Sequence, residues 1–269
     1  MLKVLLTPVF YVLWKVEVEG RENIPTKGPA VLAANHQSFC DSFFLPLVVR
    51  RRVTYVAKSE YFEHWRTAWF FRAAGQIPMQ RGGGDASQRA LNTAMEVLDQ
   101  GNLLAIYPEG TRAPDVRLHR GHTGVARLSL NCKVPIIPVG IVGTREVQPP
   151  GSRFMRPFRR VTVRFGPPVT CPEDGTGTAA GVAGGCVNPV REMAIDPDRR
   201  IDPERAADPE RRTGSERRAD LERAGDPGRR ADGAEQLELR RLTDALMAEI
   251  AALSGQEYVD HYAKRSKSS

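Results

Sequence analysis

The chain has 269 residues, with 39 Lys and Arg against 32 Asp and Glu, a formal charge of +7 and a pI near 9.5. That length suits one α/β domain with appendages, and the charge favours anionic partners such as phospholipid surfaces, nucleic acid or acidic small molecules. Cys40, Cys132, Cys171 and Cys186 lack paired metal-site spacing, which speaks against a zinc module and for reduced, intracellular thiols.

The N-terminus is apolar from Val4 to Trp14, broken only by Thr7 and Pro8. A bilayer span takes about 20 residues, so this stretch is too short to cross. It also lacks a small-residue cleavage site. Two readings stay open: a first helix packed on the core, or an interfacial anchor with Phe10, Tyr11 and Trp14 at headgroup level and Lys3 and Lys15 outside.

From Gly28 to Phe165 short apolar strands alternate with helical patterns. Strands are predicted at Ala30–Ala34, Val53–Ala57, Gln76–Met79, Asn102–Tyr107, Val134–Val142 and Val161–Phe165. Helices are predicted at Phe43–Val49, Tyr61–Ala73, Ser87–Gln100 and Thr123–Asn131. The fold class is therefore α/β, with a mostly parallel central sheet flanked by helices. Ligands on such sheets bind at the carboxyl ends of strands.

Beyond Phe165 the character changes. Gly166 to Glu257 contains no Phe, Trp or Tyr, and Cys171 to Gly233 is dominated by Gly, Ala, Pro, Asp, Glu and Arg. Such a segment buries too little apolar surface to offset its ordering entropy. From Val187 to Glu235 there are 11 basic and 13 acidic residues, so the basic excess lies elsewhere. Leu239, Leu242, Leu246, Ile250 and Leu253 then recur at helical spacing, with Gly255 as a stop. The expected organisation is a folded domain over 1–170 with its apolar N-terminal helix, a disordered low-complexity insertion over 171–235, and a C-terminal helix over 236–262 that docks back on the domain.

Two blocks carry the chemistry: Asn35-His36-Gln37-Ser38-Phe39-Cys40-Asp41 and Pro108-Glu109-Gly110-Thr111-Arg112, each just after an apolar run. A neutral imidazole takes a hydroxyl proton while a carboxylate fixes its tautomer and stabilises the imidazolium. Positions 36 and 41 would lie roughly 140° apart on a regular helix. They meet only across a bend, so His36 is expected on a loop and Asp41 at a helix start, where a carboxylate also suits the dipole.

NHQSFCD, GQIPMQR from Gly75 to Arg81, YPEGTR from Tyr107 to Arg112 and VPIIPVGI from Val134 to Ile141 resemble the four ordered motifs of the glycerolipid acyltransferases. The resemblance is nearest to the bacterial enzymes that acylate 1-acylglycerol 3-phosphate, and the Gly255-Gln256-Glu257-Tyr258 end is similar to actinobacterial members. It implies that His36 abstracts the acceptor proton for attack on an acyl-CoA or acyl carrier protein thioester, with Asp41 orienting it. Arg81 and Arg112 would hold the acceptor phosphate in a pocket that Glu109, Gly110 and Thr111 shape, and Pro135 would lie on the acyl-donor side. Neither metal nor cofactor is implied beyond the acyl donor. The implied partners are a lysophospholipid and the cytoplasmic face of the plasma membrane, with no nucleic acid. Cys40 as an acyl-enzyme nucleophile is chemically reasonable, whereas the resemblance implies direct transfer. Other lysophospholipid or glycolipid acceptors, or a non-catalytic binder of anionic membranes, are the competing readings.

Overall fold

The computed structural model describes residues 2–58, 77–79, 83–152, 154–169 and 227–263. Seven strands form the central sheet: β1 (Lys15–Glu19), β2 (Ala30–Ala34), β3 (Val53–Lys58), β4 (Ile77–Met79), β5 (Leu103–Ile106), β7 (Ile136–Val142) and β8 (Arg160–Phe165). Their order is β1-β8-β7-β2-β5-β3-β4. The run from β7 to β4 is parallel, while β8 is antiparallel to β7 and parallel to β1. A separate pair joins β6 (Leu118–His119) to β9 (Tyr258–Val259).

Every residue of β2 is buried, as expected for a strand covered on both faces. The two-residue pleat divides it. Ala30, Leu32 and Ala34 face a core with Phe44, Leu45 and Val48 of α2 (Asp41–Val48) and Trp14, which follows α1 (Leu2–Leu13). Val31 and Ala33 face the opposite core, filled from α3 (Gly83–Asp99), α4 (Gly124–Cys132) and α6 (Pro227–Ser254). The short α5 (Thr144–Val147) follows β7.

α6 lies against β7 closely enough that a Cβ on Gly140 would fall 2.6 Å from the Leu253 carbonyl carbon. Only a residue without a side chain admits that approach. Leu239, Leu246, Met247 and Ile250 are its buried anchors. The helix begins at Pro227, so residues 227–235, expected in the insertion, are its first turns.

α1 combines features of both N-terminal readings. Phe10, Trp14 and Phe44 pack ring to ring at 4.8–5.7 Å, while Val9, Tyr11 and Val12 stay exposed. Among the described residues no helix is long and apolar enough to cross a membrane. β1 was not anticipated, because Lys15-Val16-Glu17-Val18-Glu19 alternates charge with valine as a half-exposed edge strand does. Cys40 is a free, buried thiol, whereas Cys132 is disulfide-bonded, so the expectation of reduced thiols fails at Cys132. The helix predicted at Tyr61–Ala73 lies outside the described residues.

Candidate active site

Adjacent parallel strands place their following loops side by side. Ala33 of β2 is in register with Ile106 of β5, and the same offset continued past both ends sets His36 opposite Glu109. The contact follows: the His36 N–H donates to Glu109 Oε1 at 2.9 Å, and the His119 N–H donates to Oε2 at 3.1 Å. Asn35 ties the same loop to the other neighbour. Its Nδ2 donates to the Ile141 carbonyl at 2.9 Å and its Oδ1 accepts the Ile141 N–H at 2.7 Å. The site thus sits over the carboxyl ends of β5, β2 and β7, where the strand order switches sides.

Between His36 and Asp41 the chain turns, as their spacing requires. Asp41 opens α2 and its Oδ2 accepts the N–H groups of Gln37 and Ser38, both at 2.8 Å, as well as facing His36 Nδ1 at 3.0 Å. The Asp41 side chain is fully buried and the His36 side chain is 15% exposed. One face of the imidazole stacks on Tyr107, with centroids 3.8 Å apart and planes 9° from parallel. Tyr107 is itself fixed by a 3.1 Å hydrogen bond with the Ser42 hydroxyl, and burial, then the Asp41 charge, holds its phenol well above the usual range. His36 Nε2 makes no hydrogen bond among the described residues. The arrangement presents a carboxylate-oriented imidazole with one ring nitrogen left for an incoming hydroxyl.

Burial raises the Glu109 carboxyl to about 7, against the lowering effect of its two backbone donors. Both its oxygens are thus engaged in holding the two loops. Gly110 has φ +70°, and a Cβ there would lie 3.0 Å from the His122 ring. Thr111 is half-buried, and Arg112 is exposed with no hydrogen bond or ion pair among the described residues. The 113–117 loop that follows is fastened by Ala113 N–H to the His36 carbonyl at 2.8 Å and by Arg145 to the carbonyls of Asp115 and Pro114 at 2.8 and 3.1 Å.

Pro135 precedes β7 at the amino end of the sheet, where its carbonyl accepts the Val31 N–H at 3.0 Å. His36 is five residues further along that register, roughly 16 Å away at ~3.3 Å per residue, so Pro135 is not brought to the imidazole. Arg81 lies outside the described residues. Cys40 points away from acyl chemistry: its thiol contacts the Ser38 hydroxyl and the Thr144 carbonyl at 3.4 Å, and burial pushes it up to about 12.

Gln256 was given no role from sequence. It follows α6, accepts from Asn35 Nδ2 at 2.6 Å and donates to the Val116 carbonyl at 2.7 Å, bracing both site loops from the C-terminal segment. Tyr107 and Arg145 likewise carry no local signal of their contacts; only Tyr107's place inside the YPEGTR block pointed to it.

Residues 15–142 match the family model described as Acyltransferase. The chloroplastic 1-acyl-sn-glycerol-3-phosphate acyltransferase of Arabidopsis thaliana is 30% identical over 160 residues, covering 59% of this chain and 45% of that one. The mouse 1-acyl-sn-glycerol-3-phosphate acyltransferase alpha is 28% identical over 68% of this chain and 66% of its own. The chain spans about half the length of the first curated relatives it matches. The crystal structure of the 1-acyl-sn-glycerophosphate acyltransferase PlsC from Thermotoga maritima superposes with a TM-score of 0.54 at 30% identity, covering 62% of this chain and 66% of that one. With the mostly parallel sheet and the motif blocks at its carboxyl edge, these likenesses identify residues 15–142 as an acyltransferase-family domain.

Proposed function

We infer that the protein transfers a fatty acyl group from an acyl-CoA or acyl carrier protein thioester to the free hydroxyl of 1-acylglycerol 3-phosphate, giving phosphatidic acid. The observation that carries this reading is the His36–Asp41 pair, with Nε2 unengaged beside the loop that bears the exposed Arg112. His36 takes the hydroxyl proton as the acceptor oxygen attacks the thioester carbonyl; the new C–O bond forms, the C–S bond breaks, and the leaving thiolate takes the proton back from the imidazolium. Asp41 holds Nδ1 and offsets the transient positive charge. Arg112 and Arg81 pair with the acceptor phosphate, with Gly110 and Thr111 beside it. Pro135 lies on the acyl-donor side, immediately before the strand whose far end at Ile141 holds Asn35. A thioester is activated enough that positioning, base catalysis and stabilisation of the oxyanion suffice. The apolar face of α1 suits a peripheral enzyme on the cytoplasmic leaflet that draws an amphiphile from the bilayer.

The test is thiol release from oleoyl-CoA by purified protein, with and without 1-acylglycerol 3-phosphate, beside His36→Ala. Acceptor-dependent release that vanishes in the variant is expected. Release only with a different lysophospholipid or a glycolipid would move the acceptor, and silence with every acceptor and donor would sink the catalytic reading.

A further inference from the structure

The segment from Pro149 to Arg160 joins α5 to β8 and carries an exposed pairing of aromatic and cationic side chains that the acyl-transfer chemistry does not use. Phe154 is 82% exposed and Phe158 is 74% exposed, among the largest exposures of any large apolar residue described. Phe158 also has φ +61°, a left-handed backbone that glycine or asparagine adopts at less cost. An exposed ring and a left-handed backbone thus meet at one residue. Close to the two phenylalanines in sequence are Arg156, Arg159 and Arg160, all exposed, which with Arg145 line an open groove of about 570 Å³. The acids that face it are Glu146, in the groove, and Glu17, 3.4 Å from Arg160. Arg156 and Arg159 have no ion pair among the described residues.

This segment is sewn to the N-terminal helix. Phe158 N–H donates to the Leu13 carbonyl at 2.7 Å, Lys15 N–H to the Arg159 carbonyl at 3.1 Å, and Trp14 Nε1 to the Arg156 carbonyl at 2.7 Å. The carboxyl end of α1, with the exposed Val12 one residue before Leu13, therefore adjoins the segment that carries the two phenylalanines. At its other end the segment reaches the site: the Ser38 hydroxyl donates to the Gln148 carbonyl at 2.9 Å, two residues from His36.

We propose that Phe154 and Phe158 form a wedge that inserts into an anionic phospholipid leaflet, with Arg156 and Arg159 on lipid phosphates, and that this second membrane contact sets the mouth of the site against the bilayer. The inference rests on the acyl-transfer reading only for its purpose; the binding itself stands on the surface. Aromatic rings beside arginines match the boundary between acyl chains and headgroups, and exposed cations near an acidic leaflet add attraction. A leaflet takes both at once, the rings at the acyl boundary and the arginines on lipid phosphates.

Full-length protein is sedimented with phosphatidylcholine vesicles, with and without phosphatidylglycerol. Phe154→Ser with Phe158→Asn is expected to weaken binding to both by about tenfold or more. Arg156→Ala with Arg159→Ala should cost about fivefold per residue on phosphatidylglycerol vesicles only. Phe158→Asn alone should hold or raise Tm, because it relaxes the left-handed residue. Turnover of a short-chain, water-soluble acyl donor and acceptor should be unchanged in all of these variants. Wild-type vesicle affinity in the double phenylalanine variant overturns the wedge and leaves acyl transfer untouched. A fall in Tm for Phe158→Asn would place the ring in the protein's own packing and overturns it too, as would loss of binding to an acidic carrier protein with vesicle binding intact. Vesicle binding that follows the phenylalanines, in a protein that releases no thiol, would sustain the wedge and refute the catalytic reading instead.

Discussion

Asp41→Asn separates the charge of the Asp41 carboxylate from its shape. Oδ2 lies 3.0 Å from His36 Nδ1 and accepts two backbone N–H groups at 2.8 Å, so an amide oxygen in its place keeps the turn and the imidazole tautomer. What disappears is the attraction between a carboxylate and the imidazolium formed during proton transfer. Unit charges at that distance interact by about 5.5 kcal/mol at an effective dielectric of about 20. The amide dipole retains part of this, leaving a loss of about 3–5 kcal/mol, or roughly 10²–10⁴ in kcat. Stability falls too: Oδ1 is buried and unpartnered among the described residues, so the amide nitrogen that replaces it has no acceptor, a cost of about 1–3 kcal/mol. The assay is steady-state thiol release from oleoyl-CoA at saturating acceptor, with a denaturant midpoint on the same preparation and His36→Ala as the floor. A folded Asp41→Asn protein with kcat within a few fold of wild type would refute an electrostatic role for Asp41.

Cys40→Ala should keep most activity, because a buried thiol held at about 12 supplies no nucleophile; a folded, inactive Cys40→Ala would reverse the mechanism. Asn35→Ala strips both partners from the Ile141 backbone and should destabilise by about 2–4 kcal/mol in urea unfolding, whereas a loss under about 1 kcal/mol would show that water or the neighbouring strand takes over. Burial lifts the Glu109 carboxyl from 4.5 to about 7, so the folded chain keeps a proton that the unfolded chain releases in that window. The stability this group contributes is full below about 4.5 and is lost as pH rises through about 7. Wild type should therefore lose Tm relative to Glu109→Gln across that range, and parallel Tm curves would refute it. Arg112→Ala should leave Tm unchanged within about 0.5 kcal/mol of stability and raise KM for the phosphate-bearing acceptor far more than it lowers kcat; the opposite split would move Arg112 out of the phosphate pocket.

Much of this architecture is written locally. The runs at Ala30–Ala34, Leu103–Ile106 and Ile136–Val142 are continuous apolar segments bounded by turn residues, and they are the strands that flank the site. The five-residue separation of His36 from Asp41, incompatible with one helix face, already demanded the turn that Gln37 and Ser38 make around the carboxylate. Burial and strand neighbours were not local. That Glu109 is buried and braces two loops is visible only in the fold. Pro135, from a motif of the same set, stands at the opposite end of the sheet from His36.

By itself the sequence determined the alternation of strands and helices, the placement of both chemical blocks after strands, and the amphipathic helix that resumes after the low-complexity stretch, because each depends on spacing within a few residues. Only the tertiary structure decided which strands became neighbours, and with that the pairing of His36 with Glu109, the grip of Asn35 on Ile141 and the brace from Gln256 across 221 residues. Register and strand order arise from packing two cores on opposite faces of one sheet, and no short window of sequence contains that balance.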